Sequence, residues 1–192
     1  MNEVETSMLN RRRLIAAAVA LAIPAALPAF ASAASVSAGA AGAITLRDAG
    51  SETNAVTVTL DAGNWVIGDS AAPLTAGAGC TQSAANEVRC AQAATRPTAY
   101  LGGGDDTFAA PADGGWIVYG EGGSDHLTGG AGADTFFGGP GADTLIGAGG
   151  NDRLDGGTGD DVLRMAPGDV VVGGSGVDTA RLVTASGFAL TL

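Results

Sequence analysis

The sequence predicts an all-β protein: a parallel β-roll, or β-solenoid, of glycine-rich nonapeptide repeats, preceded by a small β-rich N-terminal cap region. Three observations predict it. A nine-residue unit is written five times without interruption from Gly120 to Arg164. Glycine is so dense around it that helix is opposed, since each interior glycine weakens a helix by about 1 kcal/mol. Upstream, Val56, Val58 and Leu60 alternate with Thr57 and Thr59, the period of a half-buried strand.

The units are GEGGSDHLT (120–128), GGAGADTFF (129–137), GGPGADTLI (138–146), GAGGNDRLD (147–155) and GGTGDDVLR (156–164). Gly stands at positions one and four of every unit, Asp at six and a large apolar residue at eight. Glycine permits positive φ and close backbone approach, so the first half of each unit makes a tight turn with carbonyl oxygens directed inward. The three residues after each Asp alternate outward, inward, outward, and Leu127, Phe136, Leu145, Leu154 and Leu163 take the inward place. Turns then fall alternately on two edges, and a full coil takes two units, with parallel strands stacked ~4.8 Å apart. Asp125, Asp143 and Asp161 line one edge, and Asp134 and Asp152 the other.

Two carboxylates at that spacing repel by about 3 kcal/mol at an effective dielectric of ~20, so the arrangement calls for a cation. Carboxylate and carbonyl oxygens, with no Cys or His at a recurring position, suit a hard cation. A flexible cage of six or more oxygens suits Ca²⁺ better than Mg²⁺.

GGAGADTFF, GGPGADTLI and GGTGDDVLR resemble the G-G-x-G-x-D-x-U-x nonapeptide of haemolysin-type (repeats-in-toxin, RTX) calcium-binding proteins. The resemblance implies that the first six residues of each unit are a calcium-binding turn and the last three a strand of a parallel β-roll. It extends over roughly 101–181. The metal set it implies is Asp106, Asp125, Asp134, Asp143, Asp152, Asp161 and Asp178, shaped by Gly120, Gly122, Gly129, Gly132, Gly138, Gly141, Gly147, Gly150, Gly156 and Gly159. Two units depart at position two, where Glu121 and Ala148 replace Gly, and looser turns are expected there.

From its start, the chain opens with an expected export signal over residues 1–33. Arg11, Arg12 and Arg13 form a basic segment, Leu14 to Phe30 is apolar, and Ala31-Ser32-Ala33 is a cleavage site. Pro24 and Pro28 argue against a membrane-spanning anchor. Arg11 to Ile15 also partly resembles a twin-arginine signal. The ordinary secretory route ranks higher, because a domain that needs calcium to fold stays unfolded in a low-calcium cytoplasm. The chain carries 20 acidic and 9 basic residues and no lysine, a balance that repels nucleic acid and anionic lipid.

Residues 34–100 read as a β-rich region that leads into the repeats and caps them. Asp61-Ala62-Gly63-Asn64 is a hairpin turn between Val56–Leu60 and the run starting at Trp65, with weaker strands at Ile44–Leu46 and Ala99–Leu101. Cys80 and Cys90, the two cysteines, are expected to form a disulfide in an exported protein.

Residues 101–181 are read as the repeat domain. Leu101 to Ala109 is a partial unit with Asp106 at the metal position and Phe108 inward. Asp106 and Asp125 are 19 residues apart, one more than a coil, and Asp161 and Asp178 are 17 apart. Val170 falls where the next Asp is expected, with Asp169 just before it, so calcium on that edge is expected to stop at Asp152. Residues 182–192 read as a terminal strand that breaks off as a fragment of a longer chain would.

No catalytic constellation is found. His126, the one histidine, takes an outward position of a repeat, and no G-x-S-x-G, H-E-x-x-H or Walker motif occurs. The reading is a non-enzyme: a secreted calcium-binding structural or interaction module that meets an extracellular protein or polysaccharide, without nucleic acid and without membrane insertion after signal removal. The alternative is a targeting or stabilising repeat domain of a larger secreted enzyme or toxin.

Overall fold

A computed structural model of the chain describes residues 34–39, 43–48, 50–92, 96–110, 114–183 and 189–191. Every helix or strand among these residues is a strand. The expected export signal lies outside the described residues.

The N-terminal region holds β1 (Ala34–Ala38), β2 (Ile44–Arg47), β3 (Ala55–Asp61), β4 (Asn64–Asp69), β5 (Leu74–Ala76), β6 (Cys80–Ala84), β7 (Glu87–Ala91) and β8 (Thr98–Tyr100). The repeats supply β9 (Thr107–Ala109), β10 (Ile117–Tyr119), β11 (His126–Thr128), β12 (Thr135–Pro140), β13 (Thr144–Ile146) and β14 (Arg153–Thr158). They continue through β15 (Val162–Met165), β16 (Val170–Ser175) and β17 (Thr179–Val183), and β18 (Ala189–Thr191) follows. The strands sort into two sheets. One is ordered β16-β14-β12-β10-β8-β2-β1-β5, the other β18-β17-β15-β13-β11-β9-β3-β4-β7-β6. Successive repeat strands alternate between the sheets and pair in parallel within each, as a two-edged coil requires.

The roll begins before the repeats do. β2 pairs in parallel with β8, and β3 with β9, so residues 44–57 already form the first rung. Residues 58–92 then leave the coil, and the chain is back in it at β8. β4, β7 and β6 prolong the second sheet through the antiparallel pairs β3–β4, β4–β7 and β6–β7, and β5, paired in parallel with β1, extends the first. The expected hairpin is present, with Asp61 opposite Asn64 and positive φ at Ala62 (49°) and Gly63 (79°), the two-residue turn whose twist matches paired strands.

One apolar core runs the length of the roll. In the first sheet Leu46, Ala99, Val118, Phe136, Leu154 and Val171 stand in register. Facing them in the second are Val56, Phe108, Leu127, Leu145, Leu163 and Ala180. Leu127, Phe136, Leu145, Leu154 and Leu163 are all fully buried, as the position-eight pattern predicts. At the N-terminal end Trp65 of β4 packs edge-on against Trp116 (centroids 5.8 Å apart), and Trp116 meets Phe108 at 5.3 Å. Large rings thus close the end of the core where a solenoid would expose its interior.

Both departures from an 18-residue coil are absorbed on one edge. Turns 101–106, 120–125, 138–143, 156–161 and 173–178 are all six residues long. On the opposite edge, the sequence between β9 and β10 is one residue longer than a six-residue turn, and turn 165–169 lacks one.

The Cys80–Cys90 disulfide joins directly opposed residues of β6 and β7, and Cys90 is buried beside Trp65 in the strand register. The double replacement Cys80→Ser and Cys90→Ser is expected to lower unfolding free energy by about 2–3 kcal/mol in the chain-entropy account. Denaturant unfolding of the two proteins at equal calcium measures it.

Candidate metal centre

Each repeat turn ends in an Asp whose backbone begins the next strand, so the Asp side chain is held where adjacent coils meet. On the first edge the Asp N–H of one coil donates to Oδ1 of the next: Asp106 to Asp125 (2.9 Å), Asp125 to Asp143 (2.8 Å), Asp143 to Asp161 (2.8 Å) and Asp161 to Asp178 (3.1 Å). The second edge repeats the pattern, Trp116 to Asp134 (2.6 Å), Asp134 to Asp152 (2.8 Å) and Asp152 to Asp169 (2.9 Å). The two rows of aspartates fall on the edges assigned from the spacing.

These bonds use one carboxylate oxygen and leave the other. Oδ2 of Asp106, Asp125, Asp143, Asp152 and Asp161 is buried without a hydrogen-bond partner. Asp134 differs, because its Oδ2 accepts the Gly130 N–H at 3.0 Å. A lone buried acceptor costs about 1–3 kcal/mol, more when charged, so four such oxygens on the first edge demand a partner.

The position-one glycines show what faces those oxygens. A methyl group on Gly120 would strike both Asp125 Oδ2 and the Gly138 carbonyl oxygen. Gly138 stands likewise beside Asp143 Oδ2 and the Gly156 carbonyl, and Gly156 beside Asp161 Oδ2 and the Gly173 carbonyl. A carboxylate oxygen and a carbonyl oxygen therefore converge on one small space per turn, with no donor between them. Among the described residues no three His, Cys, Asp or Glu cluster, so a cage here combines carboxylates with backbone carbonyls. That donor set fits Ca²⁺, a hard cation with irregular oxygen coordination.

Three sequence expectations change. The position-four glycine of the first unit that packs on the preceding coil is Gly123, not Gly122: Gly123 has φ 130° and a methyl there would strike the Gly104 carbonyl, whereas nothing lies near Gly122. The Asp row on the second edge does not end at Asp152. The short turn 165–169 pulls Asp169 into register, pairing Arg153 with Val170. Asp169 Oδ2 is met by the Ala166 N–H at 2.6 Å, as Asp134 Oδ2 is by the Gly130 N–H, so on this edge Asp152 Oδ2 alone is without a partner among the described residues. Counting the missing residue within the turn rather than the strand would have found it. The turns bearing Glu121 and Ala148 do form, and both residues adopt φ 71°, a left-handed conformation that costs a non-glycine residue about 1–2 kcal/mol.

Burial pushes the carboxylates up, to about 7 for Asp106 and about 6 for Asp125, Asp143 and Asp152, against the pull of the neighbouring coil's N–H. Asp134 and Asp161 are raised for the same reason. The cation-free fold then holds more protons than the unfolded chain, so its stability is greatest below the unfolded value of 3.8 and is lost as pH rises through about 6–7. Over that window calcium and protons compete for the same oxygens. Calcium affinity measured by titration calorimetry is expected to weaken from pH 7.5 to pH 5.5, with binding at the lower pH releasing protons to the buffer, and a pH-independent affinity would contradict this. Gly123→Ala is expected to destabilise the calcium-bound fold by about 2 kcal/mol or more. Gly122→Ala, with open space around it, should stay within about 0.5 kcal/mol in the same denaturation measurement.

Comparison with known proteins gives an independent observation. The family model for the RTX calcium-binding nonapeptide repeat (4 copies) matches residues 117–145 and 128–163. No curated protein and no solved structure matches the chain. Residues 117–163 are thus RTX calcium-binding nonapeptide repeats, and the β-roll they build continues on either side of the matched stretch.

Proposed function

We propose that the chain is an exported calcium-binding protein whose glycine-rich turns bind Ca²⁺ and so fold into a rigid β-roll that serves as a structural or interaction module. The row of buried, unpartnered Oδ2 atoms at Asp106, Asp125, Asp143 and Asp161 carries this reading. Those of Asp125, Asp143 and Asp161 each lie beside a glycine carbonyl of the next coil, a pair of oxygens suited to a hard cation. Calcium enters as a structural ligand, and no reaction is assigned to the module. The Cys80–Cys90 disulfide supports an oxidising, extracytoplasmic destination. An acidic exterior, with net charge −11, suits a soluble extracellular module and disfavours nucleic-acid partners. An extracellular protein or polysaccharide remains the partner class this reading predicts.

Far-UV circular dichroism with chelator, Ca²⁺ or Mg²⁺ tests the proposal. Calcium is expected to drive β-structure with a midpoint on the order of 10⁻⁴ to 10⁻³ M, and magnesium to substitute poorly because it keeps its waters and demands octahedral geometry. Asp143 lies between two first-edge neighbours and serves the spaces on both sides, whereas Asp178 is the last of its row. Asp143→Ala should therefore shift the calcium midpoint further than Asp178→Ala. Equal shifts would defeat the shared-ligand arrangement, and identical spectra in all three solutions would defeat the proposal.

A further inference from the structure

The rung that precedes the repeats keeps the ladder but not its chemistry. Asn54 stands where later turns have Asp: it is buried, and its N–H donates to Asp106 Oδ1 at 2.6 Å, as each Asp does to the next. Its side chain is an amide, however. Nδ2 donates to Asp48 Oδ2 at 2.9 Å and to the Leu101 carbonyl at 3.0 Å, and it lies 3.3 Å from both Asp106 Oδ1 and the Glu52 carbonyl. Leu101 aligns with Gly120 in the strand register, so its carbonyl is the counterpart of those that face Asp Oδ2 atoms further along the row. In the repeats two acceptors converge there with no donor. Here an N–H₂ group supplies the donors, so Asp48 Oδ2, the Leu101 carbonyl and Asp106 Oδ1 are met without a cation, while Asn54 Oδ1 and Asp106 Oδ2 have no hydrogen-bond partner.

The opposite edge shows the same substitution by other means. Trp116 holds the Asp position and donates its N–H to Asp134 Oδ1 at 2.6 Å, but brings no carboxylate. The turn is fastened to its neighbour by Arg96, whose Nη2 donates to the Ala133 carbonyl at 2.7 Å, the Trp116 carbonyl at 3.1 Å and Thr135 Oγ1 at 3.1 Å. A guanidinium cannot leave on dilution or chelation, and it is always charged. The aromatic contacts of Trp65, Trp116 and Phe108 lie directly beneath.

We propose that the first rung of the roll, β2 and β3 paired with β8 and β9, is a metal-independent template: on one edge the Asn54 amide takes the place of a cation between the two coils, on the other Arg96 ties this start of the roll to the turns before β10 and β12, and Asp106 Oδ2 is the first oxygen of the calcium row. Calcium then extends the roll from a formed sheet edge, and each coil adds to strands already in place. The costly step of a parallel coil, nucleating the first strand pair, is thereby separated from metal binding. This inference rests on the calcium reading of the repeats.

Hydrogen exchange of the full chain, followed by mass spectrometry with chelator and with excess calcium, tests it. With chelator, amides of β2, β3, β8 and β9 are expected to stay protected while those of 120–178 exchange freely. Calcium at ~100 times its Kd should slow the second group by about 100-fold and leave the first nearly unchanged. Asn54→Asp places a further carboxylate against Asp48 and Asp106, and should make protection of the first rung calcium-dependent; Arg96→Met should weaken protection of β10 and β12 in the calcium state. First-rung amides that exchange as fast as the repeats in chelator, and gain protection only with calcium, would overturn the template while leaving the calcium reading intact. Repeats protected equally in both solutions would remove the calcium reading and the template with it. An Asn54→Asp protein whose first rung remains protected in chelator would show that the amide has no such role.

Discussion

The structure depends on one hydrogen bond repeated along each edge, from the backbone N–H of an Asp to the carboxylate of the Asp one coil further on. That bond fixes the coil spacing, accompanies burial of the carboxylates from Asp106 to Asp161 and consumes one oxygen of each. The rest of the unit follows. At Gly120, Gly138 and Gly156 position one has no room for a methyl group, because the Asp of the same turn folds back over it. On the first edge, position four must be glycine because Gly141 and Gly159 rest on the carbonyl of the coil before, with φ 147° and 127°. The apolar residue at position eight completes the unit by filling the narrow space between two short strands.

A carboxylate bonded on one side only is an unfinished interaction, and the chain resolves it in more than one way. Cation-binding geometry is left open along most of the first edge. At Asp134 and Asp169 a backbone N–H of the same turn takes the second oxygen. The edges also differ in regularity. Every first-edge turn within the repeats has six residues, while the second edge absorbs both an insertion and a deletion. A row of oxygens that must share ions tolerates no change of spacing, whereas a row partly satisfied by its own backbone does.

Much of this was legible in the sequence. Gly, Asp and an apolar residue at fixed positions give the turn, the edge and the inward face, because each reflects a separate steric or electrostatic demand. What was not legible lay where a residue acts through place rather than type. Asn54 and Arg96 carry no repeat signature, and only the fold brings them to the ends of the two rows. Asp169 was displaced by one residue in sequence but not in space, because a shortened turn corrects the register before the strand begins. Gly122 and Gly123 are adjacent glycines, and only their surroundings tell them apart. The N-terminal region, read as a cap, performs that task by continuing both sheets, a long-range pairing that local alternation does not encode.

The central claim is that the unpartnered carboxylate oxygens are cation ligands, and its most direct test is a crystal structure of the protein grown with calcium or a lanthanide, using anomalous scattering to locate the ions. The account predicts a row of peaks along the first edge, each at about 2.3–2.6 Å from an Oδ2 of Asp125, Asp143 or Asp161 and from a glycine carbonyl of the next coil. Electron density with those oxygens bonded only to water or to one another, and no anomalous signal at the turns, would contradict it.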